Sequence, residues 1–164
     1  MDRLLFAVTF LCAIGAGLIG GLFFAFSSFV MTALGRVQPA AGISAMQSIN
    51  VAVLNPLFFA AFFGTAALCV VALIVALMRW SEPGAGYLLA GGLLYLIGTI
   101  LVTMAGNVPL NNKLARVRPD SSEGAQLWTQ YLSTWTAWNH LRTIASLAAA
   151  ASFILALVRL PGSL

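Results

Sequence analysis

The sequence predicts an all-α membrane protein, folded as an antiparallel four-helix transmembrane bundle with short amphipathic helical segments on one side. Three observations lead there. Only 7% of the 164 residues are charged and 61% are hydrophobic, whereas an ordinary soluble domain carries about 25% charged residues. Lipid must therefore be the solvent for much of the chain. Four apolar runs, at 4–31, 53–78, 84–106 and 138–158, each reach the about 20 residues that a spanning helix needs. The runs are long and continuous rather than short and alternating, which favours helices over barrel strands. The length suits one integral membrane domain, 1–164.

The first run carries no charge between Arg3 and Arg36. Met1-Asp2-Arg3 ahead of it imitates a secretory leader. The run continues well past the roughly 7–15 apolar residues of a leader core, so it reads as a retained span. Arg79 closes the second run and Arg159 the fourth. Small residues recur every fourth position, as Ala13, Gly17, Gly21 and Ala25 in the first run and Ala148, Ser152 and Ala156 in the last. Such stripes let helices approach closely. They either seal the bundle, the favoured reading, or form the face of a homo-oligomer.

Four spans place both termini on one side, with the short connection 79–83. The opposite side carries 36–50, which includes the helix-compatible stretch 43–50, and 107–131, with most of the loop charge. Function concentrates on elaborated connections held by a rigid scaffold, so a site is expected at that end. The basic residues behind the net charge of +4 are scattered, with no stripe or tract for a nucleic acid. They suit interfacial anchoring. A positive-inside count leans toward a cytoplasmic elaborated side, and the expected location is the bacterial inner membrane. Cys12 and Cys69 lie in apolar runs and read as buried thiols. With one histidine in the chain, no zinc pattern exists and no metal is expected.

The run from Trp135 through Trp138, Asn139, His140 and Arg142 to Thr143 stands out. Ionisable groups at a membrane span are costly, so they are functional candidates by default. On one helix, Trp128, Tyr131, Trp135, Trp138, Asn139 and Arg142 share a stripe. His140 falls on another, with Ser133, Thr136 and Thr143, about 100–200° away. Asn107 and Asn111 after the third run, Gln47, Asn50 and Asn55 before the second, and Ser27, Ser28 and Phe26 near the end of the first belong to the same membrane level. An interfacial pocket of apolar walls and few polar groups is expected. Each member also has a plainer reading: Trp and Tyr as belt anchors, Asn as caps or turn formers, Arg142 as a snorkelling cation, His140 as a satisfied interfacial residue.

Four motifs, in this order and spacing, resemble the anthrone oxygenase-like group of small four-span membrane proteins (DUF1772). They are Phe23-Phe24-Ala25-Phe26-Ser27-Ser28-Phe29-Val30-Met31; Gln47-Ser48-Ile49-Asn50 with Asn55-Pro56; Asn107-Val108-Pro109-Leu110-Asn111; and Trp135-x-x-Trp138-Asn139-x-x-Arg142-Thr143. The group often has Pro after the Val-Met of the first motif, where this chain has Thr32. The resemblance implies an O2-dependent oxidation of an anthrone-like phenol to a quinone, without a recognised cofactor. On that reading His140 is the candidate base, the side chain whose ordinary pKa is nearest neutrality. Arg142 with Asn139, Asn107 or Asn111 would hold the oxyanion. Trp135, Trp138 and the phenylalanines near Phe26 would stack on flat rings, and Gln47 and Asn50 complete the expected binding set. The alternative is a non-catalytic membrane module binding a lipid, a small molecule or a partner protein. A haem or metal protein ranks third, with His140 as one axial ligand and Met104, another protomer or nothing as the second.

Overall fold

A computed structural model describes residues 3–159; Met1 and Asp2 of the leader-like start lie outside them. The described residues form helices and turns and no strand. Four helical segments, Arg3–Arg36, Pro56–Met78, Ala85–Leu114 and Ser122–Arg159, are long and apolar enough to cross a membrane. The first comprises α1 (Arg3–Ala25), a π-helical turn (Phe26–Val30) and α2 (Met31–Arg36). Then come α3 (Pro39–Ala52) and α4 (Pro56–Met78). The third span comprises α5 (Ala85–Tyr95), two π-helical segments (Leu96–Leu101 and Thr103–Asn107) and α6 (Val108–Leu114). A single helix, α7 (Ser122–Arg159), completes the chain.

Local chemistry sets these limits. Asn55 accepts from the Phe58 amide at 3.0 Å, with Pro56 at the first helical position, so α4 starts with a capping side chain and a residue that has no amide to satisfy. Gly84 has φ 93 before α5, a conformation in which a side chain is strained. Ser121 accepts from the Gly124 amide at 3.0 Å and Glu123 lies in the first turn of α7. Three spans run past the expected bounds. The π turn carries the first on to Arg36. Pro109 does not stop the third, because it sits at the start of α6. No breaker separates the amphipathic stretch before Trp138 from the last apolar run, so α7 is continuous over 38 residues.

The long helices form a ring in which α1 packs on α4 and α7, and α5 on α4 and α7. The closest approaches are made by glycine. A Cβ on Gly20 would lie 2.8 Å from Leu147 Cδ2, and one on Gly98 would run into the Ala145 methyl. The stripe expected in the first span is only partly inside. Ala13 is buried, Gly17 faces Ala150 loosely, and Gly21 meets nothing. An every-fourth pattern drifts by about 40° per step on a helix of 3.6 residues per turn, so it winds out of the interface that Ala16 and Gly20 enter. Cys12 and Cys69 are free and fully buried.

A second apolar cluster fills the elaborated end: Met31, Ile43, Met46, Leu114, Trp128, Tyr131 and Trp135. Helix α3 lies over it as a roof. Gly42 lets α3 seat on the Trp128 ring, where a Cβ would come within 2.8 Å. Gln47 Nε2 donates to the Leu114 and Val117 carbonyls at 2.9 and 3.1 Å, which ties the roof to the turn after α6.

Candidate functional site

Arg142 is the centre of the polar end. Its side chain comes from the middle of α7 yet is only 4% exposed. Nη2 donates to Asn139 Oδ1 at 2.6 Å and Nη1 to Thr103 Oγ1 at 3.2 Å, while the buried Nε has no partner. The guanidinium lies 4.0 Å over the Phe23 ring and 5.2 Å from the Trp135 ring. Ring faces attract a cation but do not neutralise it. No carboxylate pairs with Arg142 among the described residues. Glu82 is at the other end with Arg79, and Asp120 is bound to Arg118 at 3.0 Å. Its hydrogen bonds with Arg118 hold the Asp120 carboxyl below its ordinary pKa.

The surrounding amides and hydroxyls orient this cation. Asn139 Nδ2 donates to the Phe23 carbonyl at 2.7 Å and to Ser27 Oγ at 2.8 Å, so its carbonyl turns to Arg142. Thr143 Oγ1 donates to the Asn139 carbonyl and contacts Ser27 Oγ at 3.1 Å. Thr103 Oγ1 donates to the Thr99 carbonyl at 2.7 Å, which leaves its lone pairs for Arg142. The π turns Phe26–Val30 of the first span and Thr103–Asn107 of the third lie at this level. Such widened turns occur frequently at functional sites, and here they border the same cavity.

That cavity measures about 130 Å³. Phe23, Phe26, Met46, Ile49, Phe58 and Trp135 wall it; Arg142, Thr103, Asn111 and Asn50 supply its polar groups. An apolar void of about 150 Å³ holds one benzene ring, so this one is ring-sized. Asn111 Oδ1 accepts from Tyr131 Oη at 2.7 Å and from Trp135 Nε1 at 2.8 Å, which leaves its amide hydrogens as donors. The Trp128, Tyr131 and Trp135 rings stack behind it, with successive centroids 5.6 and 6.0 Å apart.

The residues singled out in the sequence fall into three groups. Arg142, Trp135, Phe26, Asn50 and Asn111 line the cavity. Asn139 and Asn107 are buried behind it: Asn139 carries Arg142, and Asn107 Nδ2 donates to the Trp135 carbonyl at 3.1 Å while its Oδ1 has no partner. Three stand outside the lining. Gln47 bonds away from the cavity to the α6 turn. Trp138 covers Gly106 and is 39% exposed. His140 is exposed on the far face of α7, as its helical phase requires, so the expected base is not among the groups that face Arg142. Thr103 was not singled out as a site residue, and Phe23 was noted only within the motif that contains Phe26. A threonine or phenylalanine within an apolar run looks like span filler; the four-residue spacing of Thr99 and Thr103 is the one signal that hydroxyls recur on the α7-facing side.

The sequence model of the anthrone oxygenase family matches residues 57–152. The chain belongs to that family. The match takes in Thr103, Asn111, Trp135, Asn139 and Arg142, so the anthrone oxygenase segment includes the cationic half of the cavity; Phe23, Phe26 and Asn50 come from the part before it. No curated protein and no solved structure matches the chain.

Proposed function

We propose that this protein is a membrane-embedded, cofactor-independent oxygenase that converts an apolar, anthrone-like phenol to the quinone. The observation that carries the reading is Arg142: a buried guanidinium with no counter-carboxylate among the described residues, facing a ring-sized cavity walled by aromatic side chains. A buried cation left unpaired is costly, and an anionic ligand would balance it. The family name points to the anion, the enolate of an anthrone.

The chemistry closes without a redox group on the protein. The neutral substrate seats its carbonyl oxygen on Arg142, with the Asn111 amide as a second donor, and its ring methylene then loses a proton to interfacial water. The anion gives one electron to O2. The carbon radical and superoxide combine, and protonation yields a hydroperoxide. Loss of the remaining C–H proton with cleavage of the O–O bond gives the carbonyl and water. One CH2 and one O2 become one C=O and one H2O. Preorganised donors at the developing charge act most strongly where water is excluded. His140, exposed on the opposite face, takes no part.

The test is oxygen uptake by purified protein with an anthrone, above the spontaneous rate. Arg142→Ala is expected to lower it by about 10²–10³-fold, the usual effect of removing an oxyanion donor. Asn139→Ala, which unmoors Arg142, is expected to lower it at least tenfold. Unchanged uptake in both variants refutes the assignment. Stoichiometric binding without turnover on any tested aromatic assigns the protein to the non-catalytic alternative.

A further inference from the structure

We infer that the ligand of the Arg142 cavity arrives sideways from the acyl-chain region of the bilayer, through a portal framed by Leu22, Leu54 and Val108. The inference rests on reading this cavity as the substrate site, and adds the route and hence the kind of molecule admitted.

The lining divides by exposure. Its inner part is closed: Met46 is 1%, Trp135 5% and Arg142 4% exposed. Its outer part consists of apolar side chains that remain uncovered, with Leu22 36%, Val108 40% and Leu54 62% exposed. These three come from α1, the end of the third span, and the link between α3 and α4. Toward the loops the cavity lies under α3, whose Ile49 and Asn50 line it and are half-buried. Helix α3 lies over it with Met46 packed into the aromatic cluster, and Gln47 fastens α3 to the turn after α6. A charge in water would have to unseat that roof, whereas an apolar molecule dissolved among acyl chains meets a rim of its own polarity. The cavity holds about one ring, so a larger fused-ring molecule would seat its oxygen-bearing ring on Arg142 and leave the rest between the rim residues, in contact with lipid.

The test uses thiol access, which needs no turnover. Thr103→Cys places a thiol in the cavity, and the wild-type protein, whose two thiols are buried, supplies the background. Reconstituted in phosphatidylcholine vesicles, it is treated with neutral methyl methanethiosulfonate or with the anionic sulfonatoethyl reagent of the same chemistry. The anionic reagent should be drawn to Arg142 if water reaches it. The portal predicts labelling by the neutral reagent at least tenfold faster than by the anionic one. It also predicts at least tenfold slowing of the neutral reaction by Leu54→Trp, and no change by Ser48→Trp on the exposed side of α3. Comparable rates for the two reagents, or no effect of Leu54→Trp, overturn the portal. Ile49→Cys, also in the lining, repeats the measurement if Thr103→Cys does not fold. Absence of anthrone-dependent oxygen uptake with this labelling pattern intact counts against the oxygenase reading alone.

Discussion

Arg142 and His140 are two positions apart and meet opposite environments. One α-helical step is about 100°, so a helix that buries Arg142 against Phe23 and Thr103 turns His140 away. His140→Ala is therefore expected to keep oxygen uptake within about twofold of wild type, an ordinary surface substitution. The pH dependence then belongs to the substrate. On the proposed reaction the reactive form is the anion, and a neighbouring cation favours the anion, so uptake is expected to rise with pH at a lower pH than spontaneous oxidation does. Two anthrones of different acidity should shift the midpoint; a midpoint that stays fixed and vanishes in His140→Ala would restore the histidine as base. A second prediction concerns Asn111. Its one carbonyl serves both Tyr131 and Trp135. Asn111→Ala leaves two donors without an acceptor, at about 1–3 kcal/mol each, and a melting temperature lower by about 4–24 °C is expected from roughly 2–4 °C per kcal/mol. Asn111→Asp, which keeps the acceptor, should lose less. The stripe of Trp135, Asn139 and Arg142 was legible from helical spacing. Which amides face the cavity and which stand behind it was not, because that depends on partners such as the Phe23 carbonyl that carry no sequence signature.

The helices were legible as apolar runs, and their ends less so. Hydropathy does not register a π turn, since widening a helix changes hydrogen bonding and not composition. The segments Phe26–Val30 and Thr103–Asn107 therefore went unseen, although they border the cavity. Small-residue spacing pointed to close packing but chose its phase wrongly at Gly21. The contrast can be measured. Gly98 faces the Ala145 methyl, which has nowhere to move, and Gly21 faces open space. Gly98→Ala is expected to cost about 1–3 kcal/mol as overpacking. Gly21→Ala should be neutral or stabilising by up to about 1 kcal/mol through helix propensity. Thermal unfolding in one detergent compares the two directly, and equal losses would contradict this packing.

On the scale of the whole molecule, composition and the length of four continuous apolar runs were enough for the fold class, because 7% charge calls for lipid as solvent and the runs call for helices. The division of labour between the two ends was legible from loop length. The roof was legible only as a helix-compatible stretch, 43–50; its start at Pro39 and its seat on Trp128 were not, because the seat depends on the absence of a side chain at Gly42. The lone guanidinium has one more consequence. No carboxylate meets Arg142 among the described residues, so on the proposed function an anion that binds there should also raise the melting temperature. At a hundred times its dissociation constant such a compound would add about 2.7 kcal/mol, or roughly 5–10 °C. A melting screen of lipophilic acids on the wild type, repeated on Arg142→Met, would rank natural ligands before any reaction had been observed. Compounds that protect both proteins equally would be acting elsewhere.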